Sequence, residues 1–239
     1  MKNVIIHNIT RRNFLKKTGI LAASATILGC KETKSTQQKR YAMVIDLEKC
    51  IGCHSCSISC KTQFDVPLGV FRSWVKIIER GSYPAVKRIF IPVLCNHCDD
   101  PPCVKGCPTG ATYQRADGIV VVNPDDCIGC KYCIQNCPYN ARFLHPITKT
   151  ASKCDFCLHR IKQGITPSCV NTCIGQARTF GDYNDPQSSI SQILLQNNSQ
   201  VLLEAMGTNP RVFYINLDQN AYTTGKTLLW HNDFIRLHD

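Results

Sequence analysis

At 239 residues the chain has room for one or two domains, and its seventeen cysteines, about seven per cent, put cysteine chemistry at the centre of the fold. Lysine and arginine exceed aspartate and glutamate by 11, a balance that on its own raises nucleic acid or a membrane surface as partners. Five of those basic residues fall in the first thirty positions, leaving 23 basic against 17 acidic residues beyond Cys30, and no stretch reaches the roughly 18 apolar residues of a transmembrane helix.

The N-terminus reads as an export signal. Thr10-Arg11-Arg12-Asn13-Phe14-Leu15-Lys16 precedes an apolar run from Gly19 to Gly29 that is too short to span a bilayer. Paired arginines specify the twin-arginine route, which predicts export of an already folded protein to the periplasm. Two processing readings stay open. Ala23-Ser24-Ala25 has the form of an ordinary cleavage site, and Ile27-Leu28-Gly29-Cys30 that of a lipoprotein box, with lipidation of Cys30. Residues 1–30 are thus a signal peptide, and the polar stretch 31–40 a linker.

Tyr41 to Asp46 is β-prone and leads into Cys50, Cys53, Cys56 and Cys60. Val70, Phe71, Trp74, Val75, Ile77 and Ile78 read as packing surface, and Arg88 to Leu94 as a strand feeding Cys95, Cys98, Cys103 and Cys107. Asp117-Gly118, between Thr112-Tyr113-Gln114 and Ile119 to Val122, predicts a hairpin. Cys127, Cys130, Cys133 and Cys137, followed by Pro138, then spell C-x2-C-x2-C-x3-C-P, the run with which bacterial ferredoxins hold iron–sulfur clusters. Phe143-Leu144 and Thr148-Lys149-Thr150 predict a second hairpin around Pro146. Cys154, Cys157, Cys169 and Cys173 stretch the middle gap to eleven residues. Apolar positions Ile190, Ile193, Leu194, Val201, Leu202 and Met206 predict one or two short helices within 188–206, broken at Asn197-Asn198-Ser199, and Arg211 to Leu217 reads as a late strand.

Sixteen cysteines therefore form four groups of four, with Cys30 left over. The groups repeat: Cys50-Ile51-Gly52-Cys53 matches Cys127-Ile128-Gly129-Cys130, and the second and fourth groups share a longer middle gap, as after duplication of a two-group unit. Ala111, Ala141 and Ala177 each stand four residues beyond the last cysteine of a group, where a small side chain would let a helical turn pack on a cluster. A disulfide framework fits poorly with regular C-x2-C openings and fold-first export, and zinc sites pair cysteines two and two rather than three and one. Iron–sulfur chemistry is the better reading. With cysteine at every ligand position, four [4Fe–4S] clusters are expected, each with a net charge of about −2 when oxidised. Together they would offset the basic surplus, which removes nucleic acid as a partner.

In a ferredoxin the fourth cysteine of a run ligates the neighbouring cluster. Pairing the second group with the third gives Cys95, Cys98, Cys103 with Cys137, and Cys127, Cys130, Cys133 with Cys107. The outer groups then give Cys50, Cys53, Cys56 with Cys173, and Cys154, Cys157, Cys169 with Cys60. Sequential pairing of the first group with the second is equally compatible with the spacing. His54 and His97 lie inside cysteine groups and Lys131, Lys153 and Arg160 near thiolates, where each would tune a cluster or simply pack or face water. No Ser/His/Asp triad or phosphate-cradling glycine loop stands out, so there is no catalytic residue and no small-molecule substrate site to name.

From about Arg40 to Leu217 the chain resembles the four-cluster iron–sulfur subunits of the dimethyl sulfoxide reductase family of molybdenum enzymes. Arg40-Tyr41-Ala42-Met43, Leu94-Cys95-Asn96-His97-Cys98-Asp99, Asp117-Gly118-Ile119-Val120-Val121-Val122 and Arg211-Val212-Phe213-Tyr214 look most like the tetrathionate reductase branch. His159-Arg160-Ile161, Gly181-Asp182 and Asp185-Pro186 are shared more widely. The resemblance implies the nested pairing. It also implies an α+β protein of two ferredoxin-like dicluster modules, an inner one (84–143) inserted in an outer one (41–83 and 144–184), with a small C-terminal extension (185–239). It implies a non-catalytic electron relay between a multi-span, quinol-oxidising membrane subunit and a periplasmic molybdopterin catalytic subunit. A relay to a multihaem cytochrome reductase, or a free-standing polyferredoxin, is the alternative.

Overall fold

The computed structural model describes residues 38–224. The expected signal peptide, Cys30, nearly all of the linker and the end of the extension lie outside the described residues. In chain order the elements are β1 (Tyr41–Asp46), α1 (Ser55–Phe64), β2 (Ser73–Arg80), β3 (Lys87–Leu94), α2 (Pro102–Lys105), β4 (Thr112–Gln114) and β5 (Val120–Val122). They continue with α3 (Tyr132–Gln135), β6 (Arg142–Leu144), β7 (Ala151–Lys153), α4 (Leu158–Ile161), α5 (Ser168–Asn171), β8 (Arg178–Asp182), α6 (Ser189–Gln196), β9 (Ser199–Gln200), β10 (Val212–Ile215) and α7 (Gln219–Thr224). Among the described residues no helix is long and apolar enough to cross a membrane.

The sheet with the longest-range pairing runs β8-β1-β10-β9. β1 pairs antiparallel with β8 (Met43 opposite Phe180) and parallel with β10 (Met43 opposite Val212). Four consecutive β1 residues, Ala42 to Ile45, are buried because both faces of the strand are covered. Met43 and Ile45 point into the main core with Trp74, Ile78, Ile91, Leu94 and six of the cysteines. Ala42 and Val44 point the other way, against fully buried Ile190 of α6 and Ile215 of β10. Ser188 caps α6, its Oγ accepting from the Ser191 N–H at 3.3 Å. Residues 199–215, expected within an extension, thus supply two strands of this sheet.

Three hairpins complete the framework. β2 and β3 pair from Ser73–Leu94 to Arg80–Lys87, and Tyr214 of β10 ties onto them by donating its hydroxyl to Pro92 O at 2.8 Å. β4 and β5 form the hairpin expected around Asp117-Gly118. The expected boundaries at 83/84 and 143/144 both fall within hairpins, β2–β3 and β6–β7, so backbone hydrogen bonds run across each.

Two local expectations are corrected, and a third is met in its simpler form. β6 pairs with Ala151–Lys153, and residues 148–150 belong to the turn. The cause is His145, whose Nδ1 accepts from the N–H groups of Ile147 and Thr148 at 3.3 and 3.2 Å and so tightens a longer turn. Of the one or two short helices expected within 188–206, one forms, α6, ending at Gln196 before the expected break; beyond it Ser199 and Gln200 pair with Ile215 and Tyr214 as a strand, and Glu204–Met206 is a 3-10 turn. The buried alanines Ala111, Ala141 and Ala177 do not cushion helical turns. Each immediately precedes a strand, β4, β6 and β8.

Candidate metal centres

Each C-x2-C opening is a loop that folds back before a helix or helical turn. In the two Cys-Ile-Gly-Cys loops the glycines are required: Gly52 has φ +69° and Gly129 φ +68°, and a Cβ would strike the Phe90 ring at Gly52 and the Lys149 carbonyl at Gly129. His54 and Lys131 follow in the left-handed region and start α1 and α3, which carry Cys56 and Cys60 and Cys133 respectively. In the second, third and fourth groups the last cysteine lies at the turn into the next strand, where backbone N–H groups at the start of that strand face the sulfur, whereas Cys60 sits within α1. Thr112 N–H donates to Cys107 Sγ at 3.4 Å and Ala177 N–H to Cys173 Sγ at 3.2 Å.

The tertiary structure brings cysteines of distant groups together. Cys95, Cys98, Cys103 and Cys137 line one cavity, with Pro101, Pro138 and Tyr139 around them. Cys50, Cys53, Cys56 and Cys173 line a second, with Gly52, Val75 and Ala177. Cys60 faces Cys169 and Cys157, and all three face Cys154. Cys127 and Cys133 share an apolar cluster with Val104 of α2, and Gly106, next to Cys107, packs on Tyr132 and Asn136. All sixteen described cysteines are free thiols.

Electrostatics at these sites show what they need. Burial, reinforced by neighbouring sulfurs, pushes the Cys60 and Cys98 thiols up to about 12, the neighbours being Cys169 and Cys157 for Cys60 and Cys95 for Cys98. Burial and Cys95 push Cys137 up to about 11. Four bare thiolates at such a site would repel one another, so the arrangement calls for a cationic core. The donors around the sulfurs fit thiolate ligands of that kind. Ala151 N–H points at Cys127 Sγ (3.3 Å), Phe156 N–H at Cys154 Sγ (3.4 Å) and Ser168 N–H at Cys157 Sγ (3.4 Å).

Of the residues expected to tune or pack, His97 is fully buried and stacks on Phe156 with ring centroids 3.8 Å apart. Its Nδ1 accepts from Val120 N–H at 3.1 Å, and burial, with Lys153 and Arg142 nearby, holds its pKa well below the usual value, so it is neutral with the proton on Nε2. Buried Lys153 donates to the carbonyls of Val120 and Cys154, and Arg160 donates to Thr166 O at 2.9 Å rather than to a sulfur. Sequence reading missed Arg142 and Arg178, both buried and both donating to a cysteine sulfur. The signal was present: Ala141-Arg142 and Ala177-Arg178 stand at the same offset from Cys137 and Cys173.

Buried, hydrogen-bonded cysteine sets on short ferredoxin-like hairpins and turns define an iron–sulfur protein of the dicluster class. The 4Fe-4S dicluster domain family matches residues 86–183, and a 4Fe-4S binding domain residues 43–64. The B subunit of tetrathionate reductase from Salmonella typhimurium is 45% identical over 228 residues, covering 90% of this chain and 91% of the relative. Protein NrfC of Escherichia coli is 44% identical over 211 residues, covering 86% and 95%. The arsenate respiratory reductase iron-sulfur subunit ArrB of a Shewanella species is 37% identical over 224 residues, covering 74% and 96%. The chain belongs to this family of reductase iron–sulfur subunits, and is an electron-transfer subunit rather than a catalytic one.

Proposed function

We propose that the chain relays single electrons through four [4Fe–4S] clusters, from a membrane quinol-oxidising subunit to a periplasmic molybdopterin subunit of a tetrathionate reductase-like complex. The ligand sets are Cys50, Cys53, Cys56 with Cys173; Cys154, Cys157, Cys169 with Cys60; Cys95, Cys98, Cys103 with Cys137; and Cys127, Cys130, Cys133 with Cys107. This is the nested arrangement, with 84–143 as the inner module and 41–83 plus 144–184 as the outer one. The observation that carries it is convergence: last cysteines from one group lie among the first three of another, in a shared core.

A [4Fe–4S] cluster, when bound, takes up and releases one electron. The chain's residues hold and insulate it. Ten of the sixteen described cysteines are buried, and only Cys53 and Cys130 are exposed. These two belong to different sets, so sulfur reaches the surface at two places, suited to entry and exit. The similarity to the tetrathionate reductase protein supports the choice of catalytic partner.

Four measurements test the reading. Native holoprotein should carry about sixteen irons and negligible zinc; stoichiometric zinc, or only four to eight irons in fully loaded protein, rejects it. In liposomes with reduced menaquinone, the clusters should be reduced only when the membrane partner is present. Copurification of a molybdopterin subunit, rather than a multihaem cytochrome, identifies the terminal partner. Export by the twin-arginine route, with Arg11 and Arg12 replaced by Lys, should fail and leave folded protein in the cytoplasm.

A further inference from the structure

Two guanidinium groups lie inside the cysteine-lined core: Arg142 is 2% exposed and Arg178 4%. They occupy equivalent places. Each opens a strand, β6 or β8, directly after a buried alanine and five residues past the last cysteine of its group. Arg142 Nη2 donates to Cys103 Sγ at 3.1 Å and its Nη1 to Thr112 Oγ1 at 3.2 Å. Arg178 Nη2 donates to Cys56 Sγ at 3.4 Å and to Ser73 Oγ at 3.0 Å. The hydroxyl partners match too, since Thr112 opens β4 and Ser73 opens β2. One device has been built twice.

Neither arginine has a carboxylate within ion-pair distance among the described residues. The groups that face them are sulfurs, which carry negative charge when they ligate a cluster: Cys103, Cys133, Cys95 and Cys137 for Arg142, and Cys56 and Cys169 for Arg178. A buried charge without a carboxylate is costly, and a brace for the fold needs no charge. A charge that close to a ligand sulfur, in a low-dielectric and poorly screened interior, acts on whatever the sulfur ligates. Hydrogen bonds to the sulfurs and local net charge are the levers by which a protein sets the potential of an iron–sulfur cluster.

We propose that Arg142 and Arg178 are positioning residues that raise the reduction potentials of the clusters held through Cys103 and Cys56. The proposal rests on the ligand sets given above. The process biased is uptake of one electron from the preceding redox partner, with no bond made or broken. The added negative charge is stabilised by the fixed guanidinium, and salt in the medium has little effect because the pair is buried.

The test uses full-length holoprotein with Arg142→Gln, Arg142→Lys, Arg178→Gln and Arg178→Lys, followed by iron analysis and redox titration read by electron paramagnetic resonance. Each Gln variant should lower one midpoint potential the most, a different one for each position, and each Lys variant should lower the same one by less. Iron-replete Gln and Lys variants with every midpoint unchanged overturn the proposal. Where a Gln variant loses iron, its Lys counterpart decides: a lowered midpoint supports the proposal, while an unchanged midpoint or loss of iron there too makes the arginine a brace and overturns it. Wild-type protein without iron, or both positions moving the same signal, overturns the ligand sets instead, and metal analysis of the wild type tells the two failures apart.

Discussion

At the scale of single residues, the two Cys-Ile-Gly-Cys loops look alike but are not equally tolerant. Gly52 and Gly129 have nearly the same φ, yet a methyl group would meet a movable Phe90 ring at one and the backbone carbonyl of Lys149 at the other. Both Gly→Ala changes strain the backbone, at about 1–3 kcal/mol for a non-glycine residue held in an unfavourable region. Gly129→Ala should therefore destabilise the protein more than Gly52→Ala, and should lower iron retention at the set that contains Cys127 and Cys130. Thermal melts and iron counts of the two variants check this, and equal effects would contradict it. Cys60 offers a second residue-scale test. It follows Cys56 on α1 yet faces Cys154, Cys157 and Cys169. Cys60→Ser should alter the paramagnetic signal of the set with those three, and leave that of Cys50, Cys53 and Cys56 largely intact.

At the scale of elements, α6 is an amphipathic helix that lies outside the cysteine groups. Its hold on the sheet comes from Ile190, which is fully buried against Ala42, Val44 and Ile215. Ile190→Ala should cost about 2–5 kcal/mol, the usual range for a core cavity of this kind. Ser188→Ala, which removes the cap bond to Ser191 N–H, should cost about 1 kcal/mol. Neither change touches a cysteine set. Denaturant unfolding should therefore shift by these amounts while iron content under native conditions stays at the wild-type level. Iron lost from Ile190→Ala at low denaturant would contradict this and mean that α6 also supports the cysteine sets.

At the scale of the whole molecule, the main core is part hydrocarbon and part sulfur. Cys56, Cys95, Cys98, Cys137, Cys154 and Cys169 pack in one cluster with Met43, Ile45, Trp74, Ile91 and Tyr214. Take the iron away and that core holds crowded thiols and two buried guanidinium groups without carboxylate partners. Metal binding and folding free energy are then the same quantity. Removing iron with a chelator under reducing conditions should unfold the chain cooperatively, seen as loss of far-ultraviolet circular dichroism together with rapid proteolysis across residues 41–217. Apoprotein with a native spectrum and a sharp melt would refute this.

The sequence alone determined whatever depends on a short stretch of chain. Cysteine spacing, the glycines between the first two cysteines of a loop, the Asp117-Gly118 hairpin and the β-prone runs that became β1, β3 and β10 are all local chemistry, and each was legible. Which cysteine meets which was not fixed by spacing: the nested sets came from the family resemblance, and in the outer pair they depend on contacts between residues more than a hundred positions apart, as between Cys60 and Cys169, in a fold that also pairs Met43 with Val212. The partner of β6 escaped for a smaller reason: one histidine side chain lengthened a turn. Arg142 and Arg178 escaped because an arginine in a basic sequence reads as a surface charge. Only burial beside sulfur gives each a specific role, and burial is a property of the assembled core.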